Sequence, residues 1–290
     1  MRIFDAHFHI ERPGVRRSAL LNQMAQAGVS GGAVFSVHPQ QAVMQGGAPY
    51  EARVKDVLSL TAGASGRLFP VLWIHPREEN AIQKARDAKR RGVMAFKIIC
   101  DCFYVDDPAS MALLRVIAEL DMPVFFHSGV LWDGGVSSKF NRPLNWEAMI
   151  DIPGLRFSLA HCAWPWIDEC IALYGKFQNA FTRNPERSAE MFFDLTPGTP
   201  QIYREELLTK LFKVGYDTVH NILFGTDCIA NDYNAVWARK WIETDNAIYD
   251  KLGLPTQARE CVYEKNLMRF LGLDRTKVVH APLNQDGSGI

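Results

Sequence analysis

An excess of charge of either sign is missing from this chain: 32 Lys and Arg balance 32 Asp and Glu over 290 residues, a formal net charge of zero. Without a broad basic field nothing draws nucleic acid or an anionic membrane surface to the protein, and the expected partner is a small molecule. No apolar run approaches the roughly 18 residues that a membrane span needs. The chain enters its first strand without the basic segment and apolar stretch of a secretory signal, so a soluble, cytoplasmic protein is expected. Cysteine is sparse: six residues, lacking the density and regular spacing of a small secreted scaffold, fit reduced thiols. Internal repeats, low-complexity segments and charged blocks are all absent. So is a Ser/Gly/Pro-rich linker, and with 48% hydrophobic residues the expected organisation is one domain over 1–290.

What is present is alternation. Apolar runs at 2–9, 32–39, 68–75, 93–100, 124–127, 156–161, 191–196 and 221–227 read as strands, several of them closed by His-Pro or Gly. Between them, 18–27, 50–62, 78–91, 109–120, 144–150, 164–174 and 202–214 carry helical spacing, and two closing helices are expected at 235–252 and 256–271. The loop 128–143 is long enough to act as a lid, and the tail from Asp274 is polar and expected to be loosely held. Eight strands, each followed by a helical segment, give an α/β fold of the (β/α)8 TIM-barrel type with an extra C-terminal helix. A doubly wound open sheet is the competitor, but it would bring a Gly-rich phosphate turn after the first strand, where this chain has Asp5-Ala6-His7-Phe8-His9.

On a regular strand Asp5, His7 and His9 share one face, opposite Phe4, Ala6 and Phe8. Two imidazoles one strand repeat apart form a metal-binding pair, or are two core histidines each satisfied by a hydrogen bond; the pair alone leaves both readings open. Barrel closure gathers strand ends on one face. There the sequence adds Lys97 late in the fourth strand, His127 after the fifth, His161 after the sixth and Asp227 after the eighth. Each stands in an apolar segment, where an unpaired polar group costs on the order of several kcal/mol. Imidazoles and a carboxylate converging there suit a borderline divalent ion such as zinc.

Asp5-Ala6-His7-Phe8-His9 resembles the Asp-x-His-x-His signature of the amidohydrolase superfamily. Phe126-His127-Ser128, Leu159-Ala160-His161-Cys162 and Phe224-Gly225-Thr226-Asp227 resemble its fifth-, sixth- and eighth-strand motifs, in particular those of the amidohydrolase 2 branch, which includes aminocarboxymuconate-semialdehyde decarboxylase and several lactonases. The resemblance implies His7, His9, His127 and Asp227 around one divalent ion. Zinc is expected, with manganese or another transition metal as alternatives, and a water whose pKa the ion lowers toward about 7. Asp227 would shuttle that water's proton and His161 would polarise a carbonyl or hold an oxyanion. Lys97 has two readings, a carboxylated bridge between two ions, with His127 and His161 on the second, or a partner for a substrate carboxylate or an internal acid. Its depth in the strand favours a single ion.

Asp5 is expected either to brace the metal-bound imidazoles from behind or to neutralise Lys97 or Arg2. Arg12, Arg16, Arg17, Trp132, Lys139 and Arg142 lie in loops over the mouth, and Arg12, Arg16, Trp132 and Arg142 are the candidates for binding an acidic substrate. Each of these arginines also reads as solvated loop charge. Trp164 and Trp166 line a pocket wall or anchor the next helix. His38 and His75 read as rim histidines satisfied by the backbone, and Cys100, Cys102, Cys162 and Cys228 as small core fillers rather than nucleophiles. The expected activity is metal-dependent hydrolysis at a carbonyl centre, a lactone, amide or cyclic ester of a small, carboxylate-bearing molecule. Non-oxidative decarboxylation of an aromatic or dienoic acid is the alternative reaction. A catalytically silent binding barrel is the alternative of another class. The apolar closing helices and the tail suggest a homodimer.

Overall fold

The computed structural model describes residues 1–42 and 46–274. Among them the strands β1 Phe4–His9, β2 Gly31–Phe35, β3 Leu68–Trp73, β4 Ala95–Ile98, β5 Pro123–Phe126, β6 Arg156–Leu159, β7 Glu190–Asp194, β8 Ile222–Leu223 and β9 Cys228–Ile229 form one parallel sheet. Neighbours follow chain order from β1 to β8, and β9 pairs with β1, so the sheet curls back on itself as a TIM barrel does. Helices α1 Arg17–Gln26, α2 Tyr50–Thr61, α3 Ala81–Arg91, α4 Pro108–Glu119, α5 Ile167–Arg183, α6 Arg204–Lys213 and α7 Ala235–Leu252 alternate with the strands; α8 Thr256–Glu260 and α9 Asn266–Phe270 follow. No helix among the described residues is long and apolar enough to cross a membrane.

The expected elements are all found, with instructive differences at their ends. The helix read over 78–91 starts at Ala81 because Asn80 is left-handed, with φ 56°. The segment 144–150 is a 3-10 helix, Pro143–Met149. The helix read as 164–174 begins at Ile167 and runs on to Arg183, continuing its apolar stripe through Phe177. The closing helix 256–271 is interrupted by a π turn at Cys261–Lys265. The eighth strand, read as unbroken over 221–227, divides into β8 and β9 around Gly225-Thr226-Asp227. The tail expected to be loose lies, beyond Asp274, outside the described residues.

The sheet buries both faces. Its outer face packs under the helices through residues such as Phe8, Leu72, Phe96, Phe126 and Phe193. Inside, Phe4, Ala6, Phe35, Phe69, Phe125 and Phe192 fill the barrel's lower half, and Phe270 closes it from below. Phe4 and Ala6 belong to this interior whereas Phe8 lies outside, against Tyr233. The strict alternation expected of the first strand therefore fails. A register irregularity between Asp5 and Phe8 resets it, turning Asp5 outward with Phe8 and leaving His7 and His9 inside, above the aromatic floor.

Arg204, 1% exposed, donates to both oxygens of Asp245 at 2.7 Å and to the carbonyl of Leu195 at 2.6 Å, tying α6 and α7 to the end of β7. Losing one member of such a pair leaves a buried charge uncompensated. Asp245→Ala is expected to cost about 3–5 kcal/mol in urea unfolding. The double variant Arg204→Met with Asp245→Leu is expected to recover most of that; equal losses in the two would show that charge compensation is not what the pair supplies.

Candidate active site

At the C-terminal end of the strands lies a cavity of about 750 Å³. It is lined by His7, His9, His38, Lys97, His127, His161 and Asp227 among apolar walls that include Trp73, Ile99, Val130, Leu131 and Trp164. His7 Nε2 lies 3.1 Å from His9 Nε2, which lies 3.1 Å from Asp227 Oδ1; His7 Nε2 is 3.7 Å from the same oxygen. The three donor atoms all fall within 4.8 Å of one another. Phe35 forms the floor, its ring centroid 4.5 Å from that of His7, 5.0 Å from that of His9 and 5.1 Å from Lys97 Nζ.

Closure of the barrel makes this meeting possible. The backbone N–H of Asp227 donates to the carbonyl of His7 at 2.9 Å, and that of Ala6 donates to the carbonyl of Phe224 at 2.8 Å. Asp227 sits at φ +59°, a left-handed conformation that a non-glycine residue adopts only under constraint. Gly225 allows the close approach, since a Cβ there would lie 2.8 Å from His7 Cβ and closer still to Thr196 Oγ1. Asp5 supplies the brace, but not the expected one. It accepts from the backbone N–H groups of His7 and Thr226, both at 3.0 Å, from Thr226 Oγ1 and from Tyr233 Oη at 2.9 Å. It touches neither imidazole ring, and Arg2 pairs with Glu264 instead. Burial pushes the Asp5 carboxyl up to about 7, against those hydrogen bonds.

Asp194, which sequence reasoning passed over, does the work assigned to Asp5. Its Oδ2 is 2.6 Å from His7 Nδ1, while Thr196 donates to its other oxygen through both backbone N–H and hydroxyl. A signal was available: Asp194 ends an apolar strand in the same way as His127 and His161. With the His7 ring proton held on Nδ1, Nε2 presents a lone pair toward the Asp227 carboxylate. Desolvation would lift Asp227, but the close approach of His9 and the neighbouring His7 and His161 hold it well below the usual carboxylate range. Burial, and then the Lys97 charge, keeps His7 neutral. A neutral His7 facing an ionised Asp227, with His9 Nε2 beside both, is a donor set a divalent ion can use, so the residues fit such an ion. His127 strengthens the fit: its Nε2 is buried without a hydrogen-bond partner, and burial keeps the ring neutral.

Of the four residues expected around the ion, His127 is outside the group whose donor atoms lie within 4.8 Å of one another. Its strand lies half-way round the sheet from β1, so it faces the group from the opposite wall. His161 lines the same wall, its ring 5.1 Å from that of His127. Its Nδ1 is 3.2 Å from the carbonyl of Thr196, an acceptor only, so Nδ1 carries the proton. Lys97 is 1% exposed and forms no hydrogen bond or ion pair among the described residues; desolvation lowers its pKa to about 8, against the pull of Asp194 and Asp227.

The loop arginines are not brought to the cavity. Arg12 is 72% exposed, within 4.0 Å of Glu11, and Arg16 is exposed ahead of α1. Arg142 donates to Glu169 at 2.8 Å and lies over Trp166, and Arg17 donates to the carbonyl of Ala62. These side chains find local partners sooner than they can span the rim. Lys139 lies over Phe140. Trp132 and Trp164 do line the cavity, as do two acids not anticipated, Glu11 and Asp133. No cysteine lines it, and the buried Cys100, Cys162 and Cys228 have their thiols pushed up by burial.

A second convergent group, His75, Asp101 and Cys102, is separate from this cavity. His75 Nδ1 accepts the backbone N–H of Arg77 at 3.1 Å, which leaves the ring proton on Nε2, 3.3 Å from Asp101 Oδ1. A protonated nitrogen offers an ion no lone pair, so this group is a hydrogen-bonded brace.

A family model described as amidohydrolase matches residues 4–273. A search of curated protein sequences returns no match. Similar solved structures include a probable 2-pyrone-4,6-dicarboxylic acid hydrolase from Acinetobacter baumannii (10% identity, TM-score 0.63, covering 94% of this chain and 100% of that one). A 2,6-dihydroxybenzoate decarboxylase from Rhizobium has 14% identity and TM-score 0.63, with 94% and 100% covered. A 4-oxalomesaconate hydratase from Rhodopseudomonas palustris has 14% identity and TM-score 0.61, with 93% and 95% covered. At these identities the likeness is one of fold.

Replacing Asp194 by Asn removes the acceptor that fixes the His7 ring. Zinc affinity, measured by competition with a chelator, is expected to fall about 10–100-fold with the fold retained by circular dichroism; unchanged affinity would show that Asp194 does not act through His7.

Proposed function

The chain belongs to the amidohydrolase family, and from that premise we propose that it is a metal-dependent hydrolase acting at the carbonyl of a small lactone, amide or cyclic ester. The observation that carries the reading is the convergence of His7 Nε2, His9 Nε2 and Asp227 Oδ1 within 4.8 Å at the head of an apolar cavity. In this proposal His7, His9 and Asp227 hold one divalent ion, zinc by the chemistry of the donors, and His127 offers its unpartnered Nε2 from the opposite wall. When bound, such an ion supplies Lewis acidity, lowering the pKa of a water molecule and polarising a carbonyl.

The side chains divide the remaining work. Asp227, ionised and partly exposed, accepts the proton of the attacking water and returns it to the leaving group. Lys97, a buried cation without an ion-pair partner, stabilises negative charge that develops on the substrate. His161 was expected to fill that role, but with its proton on Nδ1 it presents Nε2 as an acceptor; burial keeps the ring neutral, so we assign it to receiving a hydrogen bond from the substrate. The walls of Trp73, Trp164 and Ile99 exclude water from the reacting centre.

The same walls favour a second reaction, loss of carbon dioxide from an aromatic acid, with Asp227 relaying a proton taken up from solvent to the ring carbon and Lys97 holding the carboxylate until it leaves as carbon dioxide. Incubating the zinc-loaded enzyme with lactones and with aromatic acids separates the two, proton release marking hydrolysis and carbon dioxide marking decarboxylation. Activity on neither set, from a protein that purifies without transition metal, would favour a binding barrel. Asp227→Asn is expected to keep the circular dichroism spectrum and lose at least about 100-fold in turnover; near-normal rates would refute the assignment.

Lys97 gives a pH test with a definite sign. Below about 8 it is a cation and holds an anionic ligand; above that it is neutral. Affinity for benzoate, read by calorimetry, is expected to fall as pH rises through about 8. Lys97→Met should be weak at every pH, and an identical pH dependence in that variant would remove Lys97 from the account.

A further inference from the structure

The ring of His161 occupies a slot that one added carbon would close. The segment after β7 runs along it: the Thr196 carbonyl is 3.2 Å from Nδ1, the Thr199 hydroxyl donates to the His161 carbonyl at 3.4 Å, and Gly198, between them in the chain, stands against the ring. A Cβ on Gly198 would lie 2.5 Å from His161 Nδ1, 2.6 Å from its Cγ and 3.0 Å from its Cβ, so either the ring or the loop would have to move. The backbone does not ask for glycine at this position, because Gly198 is outside the left-handed region where glycine is favoured. Gly46, the other glycine lining the cavity among the described residues, is the opposite case: its φ is +87° and a Cβ there would meet nothing within 4 Å. What excludes a side chain at 198 is the imidazole itself. That imidazole has little freedom to retreat. Its own backbone is left-handed at φ +59°, as are those of Cys162 and Ala163 after it, and its ring stands 5.1 Å from that of His127 and 5.8 Å from that of His7.

We propose that Gly198 is a positioning residue: its missing Cβ seats the His161 ring against the Thr196 carbonyl, keeping the proton on Nδ1 and Nε2 free as an acceptor at the cavity wall, so that the site prefers a carboxylate ligand bearing a hydroxyl over the same ligand without one. The hydrogen bond made by one ring nitrogen decides what the other can do. With Nδ1 committed to Thr196, Nε2 can accept from a ligand and cannot donate to one. A ring pushed off that carbonyl is free to carry its proton on Nε2, and the hydroxyl then faces a donor in place of an acceptor. The proposal rests on the reading above in taking His161 as a substrate contact; the place of its ring proton is independent of any reaction.

Two measurements on zinc-loaded protein test it. With 15N-labelled histidine, nuclear magnetic resonance distinguishes protonated from bare ring nitrogens, and the His161 signals are those lost in His161→Phe. They are expected to show a protonated Nδ1 and a bare Nε2, a pattern that Gly198→Ala should abolish. By calorimetry at pH 7, at least one of 2-, 3- and 4-hydroxybenzoate is expected to bind about tenfold tighter than benzoate, and this margin should shrink to about twofold or less in Gly198→Ala and in His161→Phe. A proton on Nε2 in the parent protein, no margin there, or a margin that survives in Gly198→Ala would overturn the proposal, the last because the hydroxyl would then be read elsewhere, the metal included. Should Gly198→Ala fail to fold, the same change in a His161→Ala background is expected to be tolerated in thermal unfolding; equal damage in both backgrounds would show that the ring is not what glycine makes room for. If the tautomer and the margin behave as expected while lactones and aromatic acids both go unprocessed, the proposed reaction fails and this positioning role stands.

Discussion

Everything at the head of this barrel depends on how the last strand is tied to the first. Two backbone hydrogen bonds, Asp227 N–H to His7 and Ala6 N–H to Phe224, bring residues that lie some 220 positions apart in the chain into one register. The tie is made by an irregular segment rather than a regular strand. Gly225 lets three side chains crowd together, and Asp5 collects donors from both strands through Thr226, Tyr233 and the His7 backbone. Asp227 accepts a left-handed backbone as the consequence, and its carboxylate is delivered to the imidazole pair. Local strain is concentrated where the chemistry is, and the rigid aromatic interior below it holds the geometry.

Electrostatics then give the assembled groups their character. His7 and His127 are driven neutral by burial, Asp227 is held ionised by its neighbours, and Lys97 keeps a proton it binds less tightly than an exposed lysine does. Lone pairs and negative charge meet at one point, with a single cation held off on the face of Phe35. This is the donor set to which the proposed divalent ion is assigned, with substrate-sized space above it. Asp194 completes it by fixing which nitrogen of His7 is free.

Most of this was legible in the sequence because barrels convert order into position. Apolar runs of strand length, separated by helical spacing, are sufficient for the architecture, and most of the polar residues ending such runs, His9, His127, His161 and Asp227 among them, line one cavity, whereas His75 does not. What was hidden depended on short-range geometry. Strict alternation in β1 assigned Asp5 to the wrong face, because a bulge is one residue's displacement with no compositional mark. Asp194 also ends a strand, but no motif in the sequence marks it. The loop arginines misled for the opposite reason: long cations near a mouth satisfy themselves on local acids and carbonyls, as Arg142 does on Glu169.

The most direct measurement of the central claim is anomalous diffraction from crystals of zinc-loaded protein. One peak is expected, within bonding distance of His7 Nε2, His9 Nε2 and Asp227 Oδ1. A peak at His75, Asp101 and Cys102 instead, or none near the histidine pair, would contradict the account.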